Sequence, residues 1–321
     1  MLHPEGLLRR TAGSLVVCLA LAFAASAHAA TYPLVEGQDF IGEYAETAAT
    51  AGDTLIDLAQ RHGLGFEEMV NANPGLDPWL PRPGARVRLP TRRVLPPGPR
   101  EGIVINLPEH RLYYYPPARA GQPRTVTTYP VSIGKMDWRT PIGLTRIAAK
   151  VRDPAWYPPK SVRDEHARRG DVLPQVVPAG PDNPLGRFAM RLGITGGSYM
   201  IHGTNNPAGV GMQVTHGCMR LYPADIEALF AVVPVDTPVR IINEPFKIGW
   251  SEGQPWIEVH PPLQEDAVAP PSLSDMLRVI VAGTSASGAA IDWQRAMGAW
   301  REHRGIPEPV GRGATDRLAA R

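Results

Sequence analysis

The spacing of apolar residues divides the chain into segments of different period. Between residues 41 and 90, Leu55, Leu58 and Ala59 recur at helical i, i+3, i+4 spacing behind Asp53-Thr54, and Gly63 ends that helix. Phe66 to Val70 begins a second helix, which Asn73-Pro74-Gly75 stops because proline cannot continue it. Gly84 to Pro90 then alternates as a short strand, and another short strand is expected before Gly52. The predicted order is strand, helix, helix, strand: a small α+β unit. Residues 91–100 are rich in proline and arginine and read as a semi-rigid linker. From residue 101 the pattern becomes β-branched and aromatic, in runs bounded by turn residues. Gly102–Leu107, Arg111–Tyr115, Thr125–Ile133, Ser198–Ile201 and Val235–Ile242 predict the strands of a mainly β domain over 101–243. Residues 152–187 are too irregular and proline-rich to form core, yet long enough to shape a site. Pro223–Phe230 predicts a helix with proline in its first turn. Residues 244–270 read as an extension and 271–321 as a weakly structured tail. Within the tail, Asp275–Val281 and Ile291–Arg304 are candidate short helices, and Gly305–Arg321 has the look of disorder.

The N-terminus adds a compartment. Arg9-Arg10, an apolar run from Leu15 to Ala25 and the small-residue stretch Ser26–Ala30 have the layout of a secretory signal peptide over residues 1–29. The run falls short of the roughly 20 apolar residues that a spanning helix needs. The expected location of the mature protein is the periplasm. A net charge of +2 with no basic stretch interleaved with aromatics gives no reason to expect a nucleic-acid partner. The 35 prolines favour strands, turns and linkers over a helical bundle.

Of two cysteines, Cys18 lies inside the signal, so Cys218 is expected to be alone in the mature chain. An exported protein normally pairs its cysteines, and a solitary one is a candidate reactive thiol. A buried structural cysteine is the plainer alternative, but His216, Gly217 and Arg220 beside it argue against an apolar setting. A thiol becomes a strong nucleophile when a base or cation populates its thiolate. His216, two residues before, and His202, at the end of a predicted strand, both qualify as partner, and spacing does not choose between them. The three residues as zinc ligands match no usual zinc spacing and lack a fourth partner, so no metal is expected.

Two resemblances sharpen this. Gly52-Asp53-Thr54-Leu55, Asn73-Pro74 and the closing Pro83-Gly84 through Pro90 resemble a LysM module, which implies binding of N-acetylglucosamine-containing glycan. His202-Gly203-Thr204, a gap from Asn205 to Val214, and Thr215-His216-Gly217-Cys218 resemble the signature of the L,D-transpeptidases, the YkuD-type catalytic domain. Gly134, Thr140–Gly143, Pro178–Gly186 and Leu221–Ile226 support the match. Arg220, where the family often has asparagine, is similar to the Gram-negative branch that includes enzymes anchoring the major outer-membrane lipoprotein. The resemblance implies a β-sandwich with short helices and no cofactor. It makes Cys218 the nucleophile, His202 the general base, and the Gly203 carbonyl the group that orients His202. Gly217 and Cys218 would supply oxyanion-hole N–H groups, with His216 supporting the site. Arg220 would hold a stem-peptide carboxylate, with Tyr199 and Thr204 in the pocket.

The expected reaction is transfer of a peptidoglycan tetrapeptide stem from its terminal D-Ala to an amine. That amine belongs to a second stem or to a lysine of an envelope lipoprotein. The rivals are an L,D-carboxypeptidase or amidase using water, and a non-catalytic wall-binding protein.

Overall fold

The computed structural model describes residues 29–136, 138–195 and 198–312; all of the signal-peptide reading except Ala29 lies outside them. The described chain opens with strands β1 (Ala30–Pro33) and β2 (Phe40–Ile41). The expected α+β unit follows as β3 (Ala45–Ala48), α1 (Leu55–Arg61), α2 (Phe66–Ala72) and β4 (Arg86–Leu89). Thr54 caps α1 through a capping box with Asp57, satisfying amides that the first turn leaves unpaired. Leu55, Leu58, Ala59, Met69, Val87 and Leu89 close a private core. Asn73 accepts from the Arg88 amide at 2.7 Å and donates to the Met69 and Arg88 carbonyls at 2.8 Å, tying the end of α2 to β4.

The stretch expected to be a linker is instead built in. It contains β5 (Arg93–Val94), paired with β2, and Arg93, Val94 and Leu95 are only 2, 1 and 4 % exposed. The physical reason is a buried carboxylate. Glu68 of α2 receives the Arg93 guanidinium at 2.9 Å and is gripped by Arg111 from the next domain at 2.6 Å on each oxygen. A basic, proline-rich stretch looks solvated in sequence because its counter-charge lies in another module.

The larger domain contains β6 (Gly102–Asn106), β7 (Arg111–Tyr115), β8 (Thr125–Pro130), β9 (Ile133–Gly134), β10 (Gly143–Arg152), α3 (Lys160–Arg168), β11 (Phe188–Leu192), β12 (Met200–His202), β13 (Gln213–Thr215), β14 (Met219–Arg220), α4 (Pro223–Val232) and β15 (Pro238–Ile242). A curled sheet runs β1-β8-β7-β6-β15-β10-β11-β12-β14, with β9 and β13 as a separate parallel pair. The order is antiparallel except at β6–β15 and β12–β14. β6 and β7 are buried on both faces. Ile103, Ile105, Leu112 and Tyr114 enter the main core, which Ile226 and Leu229 of α4 help to fill. Val104, Tyr113 and Tyr115 pack the other way, against Ile41 and Leu95. Each such aliphatic side chain contributes roughly 1.5–3 kcal/mol, and Ile105→Ala would cost about 2–5 kcal/mol. The domain is mainly β, as expected. The differences are α3 inside the irregular 152–187 segment and the unforeseen strands β10, β11, β13 and β14.

Residues 244–312 correct the reading of an extension followed by a weakly structured tail. β16 (Phe246–Ser251) and β17 (Gln254–Val259) form a hairpin, turned by Glu252 and Gly253 at φ of 51° and 71°. Helices α5 (Leu273–Thr284) and α6 (Trp293–Glu302) pack on it, and β18 (Pro307–Pro309) adds the third strand. Phe246, Ile257 and Val259 meet Met276, Ile280, Ala296 and Val310 in one core. The helices alone are too short to persist in water; the hairpin buries their apolar faces. No helix among the described residues is long and apolar enough to cross a membrane.

Candidate active site

The two halves of the motif meet at the end of the sheet. β12 delivers His202 as its last residue, and β14 lies parallel beside it, with Ile201 opposite Met219 and His202 opposite Arg220. Cys218 sits immediately before β14, half-buried, a free thiol 3.5 Å from the Ser198 carbonyl oxygen. Its turn is tightly specified. The Thr215 hydroxyl donates to the Cys218 carbonyl at 2.6 Å, and the Thr140 hydroxyl donates to the Gly217 carbonyl at 3.2 Å. Gly217 adopts φ +93°, and a Cβ there would lie 2.9 Å from the Tyr199 ring, so glycine is required twice over. Among the described residues no acceptor takes the Gly217 or Cys218 amide N–H.

His202 is 5 % exposed, and its Nδ1 lies 2.7 Å from the Gly203 carbonyl oxygen. A carbonyl only accepts, so Nδ1 carries the proton and Nε2 the lone pair. Burial first, then the Arg220 charge, push His202 down to about 4, against the opposing bond to Gly203. Burial also raises the Cys218 thiol, outweighing the Met200 backbone and Arg220. At neutral pH the resting pair is a neutral thiol and a neutral imidazole.

The remaining residues separate by role. Arg220 lies on β14, and its buried Nε has no hydrogen-bond partner among the described residues. Tyr199 packs against the main core and against Gly217, so it shapes the turn. Thr204 is buried and its hydroxyl is engaged locally, accepting from the Asn206 amide at 2.9 Å. His216 is half-buried; its Nε2 meets Glu165 at 2.9 Å, and its ring stands edge-on to Trp138 with centroids 5.2 Å apart. Burial lowers its pKa, with Glu165 opposing. Glu165, Lys135 and Trp138 are the neighbours that sequence reasoning missed. The signal available was Pro158-Pro159 followed by ten residues, Lys160 to Arg169, without Gly or Pro, a helix start in a segment long enough to shape a site.

One buried donor cluster lies elsewhere. Glu109, Glu258 and His260 bring their ligand atoms within 4.8 Å of one another. Lys247 fills that space with its ammonium, 2.5 Å from Glu109 and 2.9 Å from Glu258, so the cluster is satisfied by an internal cation.

Fold and site together define a YkuD-type catalytic domain joined to a LysM unit. The model of the L,D-transpeptidase catalytic domain matches residues 100–241, and that of the LysM domain matches residues 50–90. The "Probable L,D-transpeptidase YcfS" of Escherichia coli K12 is 42 % identical over 259 residues, 79 % of this chain and 80 % of the relative. The "Probable L,D-transpeptidase ErfK/SrfK" of the same organism is 38 % identical over 313 residues, 93 % of this chain and 97 % of the relative. A crystal structure of an Enterococcus faecium L,D-transpeptidase mutant aligns at 18 % identity and TM-score 0.32, over 45 % of this chain and 50 % of that one. The chain belongs to the L,D-transpeptidase family.

Proposed function

We propose that the protein is a periplasmic peptidoglycan L,D-transpeptidase working by cysteine acyl transfer. The observation that carries this reading is the His202 tautomer: with Nδ1 spent on Gly203, Nε2 is a neutral base on the strand next to the Cys218 turn. The Cys218 sulfur attacks the carbonyl carbon joining diaminopimelate to the terminal D-Ala of a tetrapeptide stem, and its proton passes to His202 Nε2. The Gly217 and Cys218 amides receive the developing oxyanion, a donor pair worth roughly 3 kcal/mol for each member in comparable sites. Collapse breaks the C–N bond, and D-Ala leaves with the proton from His202. An amine then attacks the thioester, gives its proton to His202, and expels the Cys218 sulfur, which is reprotonated.

Arg220 supports recognition of a stem carboxylate, because its guanidinium has an unsatisfied buried donor and suits bidentate pairing. The acceptor is a second stem's diaminopimelate or the terminal lysine of an envelope lipoprotein. The LysM unit binds the glycan and raises the local concentration of stems. Incubation with disaccharide-tetrapeptide, with and without a lipoprotein C-terminal peptide, is read by mass spectrometry. Crosslinked or peptide-linked tripeptide stems are expected, along with a thioester on Cys218 that Cys218→Ala cannot form. Turnover by Cys218→Ala would overturn the mechanism, and tripeptide as sole product would make the enzyme a carboxypeptidase.

A further inference from the structure

The excursion between β10 and β11 touches both halves of the catalytic motif. Its base is closed by Asn183, whose side chain donates to the Pro154 carbonyl at 2.8 Å and accepts from the Leu185 amide at 2.9 Å, and by a bridge between Trp156 and Val177. Just past that base, Gly186 packs on the His202 side: a Cβ there would stand 2.8 Å from the Thr204 amide nitrogen. Further out, α3 presents Glu165 to the Cys218 side.

Glu165 belongs to a helix whose other charged groups are exposed or half-buried, yet its own side chain is only 12 % exposed. Three donors from three parts of the chain converge on it. Oε1 accepts from Lys135 Nζ and from Arg169, each at 2.7 Å, and Oε2 accepts from His216 Nε2 at 2.9 Å. Lys135 is itself anchored to the motif, since its amide donates to the Thr215 carbonyl at 3.0 Å. Trp138 holds the His216 ring from another side. A carboxylate with two cations on one oxygen stays ionised, and Lys135, then His216, draw Glu165 down to about 2. An ionised carboxylate only accepts, so His216 is held with its proton on Nε2.

We infer that Glu165 is a positioning residue: it fixes the tautomer and orientation of His216, and thereby makes seating of the α3 excursion a condition for a competent Thr215–Cys218 turn. The consequence for turnover rests on the acyl-transfer reading above; the consequence for His216 does not. The excursion thus acts as a clasp. Its base stabilises the strand end that carries the base His202, and its helix fixes the histidine next to the oxyanion amides.

The test compares full-length wild type with Glu165→Ala and Glu165→Gln, both checked for an unchanged circular dichroism spectrum. Long-range proton–nitrogen NMR of the histidine rings reads the His216 tautomer, and tetrapeptide turnover gives kcat and KM. The wild type should show His216 protonated on Nε2. Glu165→Ala should convert it to a mixture and lower kcat by roughly 10–100-fold, by analogy with the loss of a group that orients a metal-bound histidine, with KM changing far less. Glu165→Gln keeps an acceptor oxygen and should retain the tautomer with partial recovery of kcat. An unaltered His216 spectrum in Glu165→Ala overturns the inference, as does an unaltered kcat in an active enzyme. If wild type fails to process the tetrapeptide while the His216 spectrum still shifts in Glu165→Ala, the transpeptidase reading falls and the positioning role stands.

Discussion

His202 and Gly203 are consecutive residues that hydrogen-bond to each other: the imidazole Nδ1–H donates to the carbonyl of the following residue at 2.7 Å. The bond fixes the tautomer through a backbone carbonyl rather than a carboxylate, and among the described residues burial and the Arg220 charge outweigh it to keep the imidazole neutral.

Reactivity of the free thiol follows from that neutrality. Burial raises the Cys218 pKa above the ordinary thiol value, and His202 at about 4 is uncharged at neutral pH. The thiolate fraction therefore grows with pH from neutrality upward. Iodoacetamide labelling of Cys218 should accelerate roughly tenfold per pH unit between pH 6 and 8 and be slower at pH 7 than that of free cysteine. A plateau in that range, with an apparent pKa below 7, would demonstrate a resting thiolate–imidazolium pair instead. His202→Ala should lose about 10²–10⁴-fold in turnover.

Glu68 gives a stability prediction. Its replacement by alanine leaves Arg93 and Arg111 buried without their carboxylate. Breaking such a group from one side costs about 3–5 kcal/mol, which urea denaturation of Glu68→Ala should register. Arg61→Ala, removing an exposed partner of Asp53, should change stability by under about 1 kcal/mol.

The Lys247 cluster predicts a reversal of pH dependence. Burial pushes Glu258 up, but the Lys247 ammonium and the His260 hydrogen bond outweigh it and hold the carboxyl below its usual range. A depressed carboxyl contributes stability above its unfolded pKa and loses it as pH falls through the folded value. In Lys247→Met the chief compensating charge is gone and burial dominates. Folding then favours the protonated acid, and stability should decline as pH rises from about 5 to 8. Across that range the Glu258 contribution is already complete in the wild type, so this group gives its melting temperature no slope, whereas that of Lys247→Met should fall as pH rises; parallel curves would refute the assignment.

Gly211 joins the LysM unit to the loop between the motif halves. It adopts φ +82°, and a Cβ would lie 2.3 Å from the Gly65 Cα. The Phe66 and Glu67 amides donate across the same contact to the Val210 and Gly211 carbonyls, each at 3.2 Å. Gly211→Ala should lower both melting temperature and turnover. Equal turnover with an unchanged melt would mean that the contact is dispensable.

Much of this architecture is legible in the sequence, and the exceptions share a cause. Leu55, Leu58 and Ala59 declare α1 because its core face is local and periodic. β6 and β7 declare themselves by unbroken apolar runs, the mark of strands covered on both faces. β10 is concealed because Ile147 is its one buried residue, so its alternation never settles. The β16–β17 hairpin is hidden by its turn, Glu252-Gly253, which lacks the usual Asn or Asp. At the site, the paired motifs single out Cys218 and His202 as candidates, whereas Glu165 meets His216 across 51 residues with nothing local to mark it. The same holds for Arg93 and Glu68: a buried ion pair is visible only once its two ends have been brought together.

That pair has a mechanical consequence. With Arg93 and Arg111 both riveted to Glu68, the segment after the LysM unit offers no slack through which it could swing. Under the proposed function, the glycan-gripping end and the thiol form a rigid calliper rather than a tethered hook. Such a tool would accept only stems projecting from the glycan at the angle its jaws are set to, so the helical pitch of the sugar strand would decide which crosslinks the enzyme can make.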